Sequence, residues 1–279
     1  MTDEDASGRR AELAAFLRAR RSGLAPADVG LPPGRGRRRT PGLRREELAQ
    51  LSGVGLTWYT WLEQARDIPA SAQVVDALAR ALRLGPAEHR HLRALADLPP
   101  PPPVPPPPGA LGRLQRLIDS AAPSPAAVYD LHYDYLAWNL PYCRVRHDPA
   151  SVPPDRRNLL WFVFTDPGVR ASLPRWWHVA RSVLGQFRAA AGRRPGDARF
   201  TEITEGLTAA SPEFGQWWPD YAVGDFRPTT ITVTHPSAGP IELELFHLHP
   251  SDHPDFRVVT EVPASPDDLR KVRAALTSR

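Results

Sequence analysis

Apolar positions in the first third of the chain recur every three or four residues, whereas much of the final quarter alternates apolar with polar. The first spacing predicts helices and the second predicts antiparallel strands. Leu13, Phe16 and Leu17 mark a helix over 10–20, and the Gly- and Pro-rich stretch 23–40 should be loop. A helix over 43–51 turns Leu48, Ala49 and Leu51 inward. Ser52-Gly53-Val54 then reverses the chain into a helix over 55–64, with Val54, Tyr59 and Leu62 buried. Gly53 supplies the backbone conformation that so tight a corner requires. Amphipathic helices over 72–84 and 86–98 complete a bundle of five.

The segment 99–109, PPPPPVPPPPG, interrupts all periodicity. It should form extended polyproline II, a semi-rigid spacer of about 30 Å at ~3.1 Å per residue. A ligand for an SH3-type domain is the alternative. Beyond it, 126–130 and 133–139 read as a hairpin, and 159–164, 176–191, 198–210 and 213–221 as helices. Strands are expected over 227–234, 241–249 and 257–262, with a closing helix over 267–276. The predicted class is therefore α+β. An all-α domain (9–98) is joined by a Pro-rich linker (99–109) to an α+β domain (110–279) whose antiparallel sheet cups helices.

Charge changes this picture because it is confined to one part of the chain. The net charge of +4 lies wholly in residues 1–98, with 16 Arg against 12 acids; the remainder is balanced. Arg35, Arg37, Arg38, Arg39, Arg44 and Arg45 fall within eleven residues that contain no acid. Beside a helix corner, such a cluster fits phosphate contact and the layout of a helix-turn-helix DNA reader. In that layout the 55–64 helix enters the major groove N-terminus first. Thr57 and Thr60 can hydrogen-bond base edges, Leu56 can make only apolar contact, and Trp58 stands at the margin. Trp61 either packs on sugars and methyls or buries its ring near Ile68. Arg44, Arg45 and Arg66 are expected on phosphates. The face lacks an Arg, Asn or Gln for bidentate base pairing, so DNA shape or an arm including Arg37, Arg38 and Arg39 should add specificity. Half-sites of such readers pair across a two-fold axis, so a homodimer on a palindromic double-stranded operator is expected.

No apolar run approaches the ~18 residues of a membrane span, and the acidic N-terminus carries no secretory signal. The single cysteine, Cys143, cannot form an internal disulfide and reads as a packing residue. A soluble cytoplasmic protein is expected. His247 and His249 share one face of a strand, but no second ligand cluster completes a metal site. There is no phosphate-cradling loop and no nucleophile elbow. Neither a metal, a cofactor nor a catalytic residue is expected.

EELAQLSGV, the following helix and WLEQARDIPASAQVVDALARAL resemble the Xre/Cro-type helix-turn-helix. The longer RRRTPGLRREELAQLSGVGLTWYTWLEQAR is similar to the narrower MmyB-like group of bacterial regulators. So are VYDLHYDYLAWN, NLLWFVFTDP, GRRPGD, LTAASPEFGQWW and FRVVTEVPASP beyond the linker. The chain departs from that pattern at Pro141, Cys143, His247 and His249. The resemblance implies a DNA-binding transcription regulator whose second domain is PAS-like and encloses a fatty-acid-like molecule.

Ring-rich segments are compatible with such a cavity, although the same rings would equally build a core. Expected ligand contacts are Trp138, Trp161, Phe164, Trp177, Phe187, Phe214, Trp218 and Phe246, with His178 and Arg181 as polar partners and Arg188 as a further one. Asn139, at the end of an apolar strand, should either cap a turn or fix a ligand head group. An acyl chain would gain ~0.8 kcal/mol per buried methylene. The leading reading is a regulator answering to a small hydrophobic effector. The alternatives are an enzyme domain tethered to a DNA-binding module and a protein-interaction regulator without a small ligand.

Overall fold

The computed structural model describes residues 3–31, 42–101, 108–220 and 229–277. The chain divides into two compact units, Met1–Pro102 and Pro103–Arg279. Arg35, Arg37, Arg38 and Arg39, most of the 99–109 segment, and the 221 and 227–228 ends of two expected elements lie outside the described residues. Among the described residues no helix is long and apolar enough to cross a membrane.

The first unit is the five-helix bundle that periodicity predicts: α1 (Asp3–Gly23), α2 (Arg45–Ser52), α3 (Leu56–Glu63), α4 (Ala72–Ala81) and α5 (Pro86–Leu95). Its core is an apolar cluster that includes Leu17, Leu48, Tyr59, Leu62, Leu78 and Leu92. The corner between α2 and α3 is made by Gly53 at φ 69°, a left-handed conformation that only glycine adopts without a Cβ penalty. Its N–H bonds back to the carbonyls of Ala49 and Gln50 and stops α2. Leu51, expected inward, is 37% exposed, because the inward stripe of this short helix is completed by Leu48 and Ala49.

The second unit contains α6 (Ala110–Ser120), β1 (Ala126–Tyr129), β2 (Tyr135–Trp138), α7 (Leu140–Val145), α8 (Leu159–Thr165), α9 (Pro167–Ser172), α10 (Trp176–Gly192), α11 (Ala198–Ala210), α12 (Pro212–Trp217), β3 (Thr229–His235), β4 (Gly239–Leu248), β5 (Arg257–Pro263) and α13 (Pro266–Thr277). Its five strands form one antiparallel sheet in the order β2-β1-β5-β4-β3. The unit is α+β. Both faces of β1 are covered, which is why AAVY reads as a continuous apolar run rather than an alternation. Ala126 and Val128 join the cluster under α6, while Ala127 and Tyr129 join the larger core with α8, α10, α11 and α12.

Three helices went unpredicted. α6 buries Leu114 and Ile118, a short stripe directly after the proline run. α7 and α9 are single turns or little more, started by Asn139 and Asp166 as side-chain N-caps. The helix expected over 213–221 instead ends at Trp217 and becomes a 3-10 turn at Trp218–Asp220, since Pro219 lacks the N–H that α-helix continuation needs.

Candidate DNA-binding and effector sites

In the first unit, α3 presents Leu56, Thr57 and Trp61 to solvent, with Trp58 and Thr60 half-buried. The Thr60 hydroxyl donates to the Leu56 carbonyl at 2.8 Å, leaving its oxygen as an acceptor. Trp61 lies outside the apolar core, with the Arg66 guanidinium 5.5 Å from its ring centroid. Arg44 is exposed at the start of α2. Arg45 is only partly available, because its Nε donates to Glu63 Oε2 at 2.5 Å.

Glu63 organises this face from beneath. It is fully buried, and it also accepts Arg21 Nε at 2.6 Å and the Tyr59 hydroxyl at 2.6 Å. Burial alone would raise its carboxyl pKa. The hydrogen bonds from Arg21, Tyr59 and Arg45 outweigh burial and hold it below the ordinary glutamate value. Residues of α1, α2 and α3 thus meet on one carboxylate, which fixes the angle at which α3 is presented.

In the second unit, a cavity of about 730 Å³ lies against β1, β3, β4 and β5 on one side and α8 and α10 on the other. Leu159, Val163, Val179 and Val183 supply an aliphatic wall, and Ile231, Leu245 and Val259 supply apolar patches on the sheet. The polar lining includes Tyr133, Tyr142, Arg146, Arg257 and Glu261. The side chains of Arg146 and Glu261 are only 6% and 5% exposed, with Nη1 and Oε2 separated by 3.7 Å. The Arg257 guanidinium sits 4.4 Å from the Tyr133 ring centroid. Burial raises the Glu261 carboxyl pKa, and the opposing charge of Arg146 does not cancel that rise.

In the cavity wall, the Tyr142 hydroxyl lies 3.1 Å from Tyr129 Oη and 2.7 Å from Tyr135 Oη. Tyr135 continues to His147 Nε2 at 2.9 Å. Burial, helped by the Arg146 charge, lowers the His147 pKa to about 3, so the imidazole is neutral and able to accept the Tyr135 proton. Burial pushes the Tyr142 phenol up to about 12. The Cys143 thiol is likewise pushed up to about 11, which fits its reading as a packing residue rather than a nucleophile.

Of the twelve residues considered for a ligand contact, only His178 lines this cavity. Phe164, Phe187, Phe214 and Trp218 build an aromatic core instead; Phe214 and Trp218 stack at 5.5 Å and Phe164 meets Phe214 edge-on at 5.2 Å. Trp161 lies over Gly206, where a Cβ would come within 2.9 Å of the ring. Trp138 packs beside Tyr135 and under Arg157. Trp177 is 51% exposed, and Phe246 sits on the strand face opposite to Leu245 and His247. Arg181 covers the ring of Trp217, and Arg188 donates to the carbonyls of Trp217 and Trp218. Asn139 caps α7, and all its amide atoms bond to protein groups. Rings go to the core because their area stabilises most when fully buried against one another. Glu261 is the signal that sequence offered and that was missed: an acid at an inward position of β5, in phase with Val259.

The pairing of Asp130, His132 and Asp134 brings three possible metal ligands within 4.8 Å of one another. Their atoms have other uses. Asp134 takes Arg199 through both oxygens at 2.8 Å and Asn158 Nδ2 at 2.8 Å, and His132 bridges Asp130 and Asp197 at 3.2 and 3.1 Å. This is a cross-linked turn.

Residues 12–92 match the helix-turn-helix domain family. Residues 112–275, which contain the whole cavity lining, match the MmyB-like transcription regulator ligand binding domain. No curated protein matches the chain. A DNA-reading bundle and a ligand-binding domain, the latter spanning more than half of the sequence, place this chain among the MmyB-like transcription regulators, ligand-responsive DNA-binding proteins to which it belongs.

Proposed function

We propose that the protein regulates transcription as a homodimer on a palindromic operator, and that a small hydrophobic, fatty-acid-like effector in the second unit changes its affinity for that operator. The observation that carries this reading is the cavity of about 730 Å³, within the range of small-molecule sites, with one aliphatic wall and one buried polar end. Each methylene laid against Leu159, Val163, Val179 and Val183 contributes up to ~0.8 kcal/mol. On the DNA side, Leu56 and Thr57 read base edges from the N-terminal end of α3, while Arg44 and Arg66 hold phosphates. Arg45 holds phosphate only with the part of its guanidinium not bonded to Glu63. Regulation requires that the effector bind one arrangement of the dimer better than another.

The test begins with DNA sites selected from a random library by the full chain, followed by fluorescence anisotropy on a selected site. Extraction of the purified protein should yield an acyl-type molecule, and its removal or re-addition should change operator affinity by roughly fivefold or more. Affinity that stays the same with and without it would end the effector reading while leaving the DNA reader intact.

A further inference from the structure

Helix α6 covers only half of the sheet face that looks away from the cavity. Beneath it lie Ala126 and Val128 of β1, Ala137 of β2 and Val258 of β5, packed on Leu114 and Ile118. Phe246 and Leu248 of β4 stand on that same face, because they pair with Thr260 and Val258 of β5 and directly opposed residues share a side. Yet they are 44% and 53% exposed and join none of the apolar clusters. The open half continues through Thr230 of β3, Glu244 of β4 and Val262 of β5. The flank of α6 that borders it is apolar as well. Gln115 points towards β2, donating to the Trp138 carbonyl at 3.0 Å, whereas Arg113 reaches Asp252, beyond the end of β4, at 2.9 Å. Leu117, one turn after Arg113, shares that second flank and is exposed. Of the eight large apolar side chains exposed among the described residues, three therefore line one ledge, and such a concentration marks an interaction surface.

We propose that a second copy of this chain covers the ledge, with α6 of each copy lying over β4 of the other. The inference rests on the homodimer proposed above and assigns its surface in the second unit. Two features of the ledge select a copy of itself. Its shape is a step from raised helix to bare strands, and a two-fold axis along the strands sets each α6 into the open half of the other sheet. Its charges match under the same operation. Arg116, two residues from both Leu114 and Ile118, points away from the sheet and has no acidic partner among the described residues. Glu244 is exposed on the ledge, likewise without an ion pair among the described residues. The two-fold axis brings Arg116 of each copy to Glu244 of the other, around a centre of Leu117, Phe246 and Leu248. An apolar centre inside a charged rim is the anatomy of a specific interface.

The experiment is sedimentation velocity of the full chain, unaltered and as Phe246→Glu, Arg116→Glu, Glu244→Arg and the double variant Arg116→Glu with Glu244→Arg. The unaltered chain is also measured on a selected operator. It should sediment as a dimer, and Phe246→Glu should be a monomer at the same concentration. Each single charge reversal should weaken the dimer at least roughly tenfold, and the double variant should restore it by re-forming the pair with its signs exchanged. The charge variants alter only exposed side chains, so they decide the matter even if Phe246→Glu does not fold. A dimer that persists in Phe246→Glu or in the single charge variants, or a double variant no better than the singles, overturns this interface and leaves the homodimer reading standing. Two copies on the operator with a monomer in free solution does the same. A single copy in both settings overturns both readings and leaves the ledge to a different partner.

Discussion

Asn139 joins three elements through one amide. Its Oδ1 accepts the backbone N–H of Ala126 at 2.9 Å and of Tyr142 at 3.0 Å, and its Nδ2 donates to the carbonyls of Ile118 at 2.8 Å and Ser124 at 2.9 Å. The end of α6, the start of β1 and the first turn of α7 are held in one register, and the side chain is 2% exposed. Removing it leaves buried backbone donors and acceptors unmet, at ~1–3 kcal/mol for such groups. Asn139→Ala should lower the stability of the second unit by roughly 3 kcal/mol in urea denaturation followed by hydrogen exchange; an unchanged midpoint would show that the cap is dispensable. At this scale sequence narrowed the choice to two roles, cap or ligand anchor. Only the placement of Ile118 and Ser124 against the amide decided between them. The rings illustrate the same limit, because Phe214 in a core and Phe214 on a ligand have identical local sequence.

The elements were more legible than their contents. The α2–turn–α3 corner follows from apolar spacing and Gly53, and β3, β4 and β5 follow from alternation over TTITVTH, GPIELELFHL and RVVTEVP. What holds α3 in place is less visible, since Glu63 appears in sequence as one more polar residue at a helix end. Its contacts to Arg21, Tyr59 and Arg45 lie mostly on other helices. Breaking a buried ion pair by deleting one partner costs about 3–5 kcal/mol, because the remaining charges stay buried without compensation. Glu63→Ala should therefore destabilise the first unit by that order and abolish binding to operator and random DNA alike. Glu63→Gln, which retains an acceptor, should lose less. Circular dichroism melting with anisotropy on both DNAs checks this; normal melting of Glu63→Ala would refute the hub.

For the molecule as a whole, buried histidines of the second unit couple its stability to acid. The folded pKa of His147 lies near 3, well below its unfolded value of about 6.5. Its contribution is present above about pH 6.5 and is lost as pH falls, because the unfolded chain takes up a proton that the folded chain refuses. By pH 5 that loss is on the order of 2 kcal/mol. His132 acts in the opposite sense. Burial would lower its pKa, but Asp130 and Asp197 raise it, so its contribution is present below its unfolded value and is lost as pH rises through the folded one. Urea midpoints of the second unit should fall between pH 7 and pH 5, and His147→Gln should flatten that fall; an identical slope in the variant would remove His147 as the cause. Across the molecule, sequence by itself determined the helical bundle, the turn that makes it a DNA reader, the antiparallel strands and the family, because periodicity and turn chemistry are properties of neighbouring residues. Tertiary structure decided which side chains line the cavity, which rings form core and which arginines are occupied. Arg146 meets Glu261, and Tyr133 meets Arg257, only because the sheet order places β5 beside β1, and more than a hundred residues of chain separate the members of each pair.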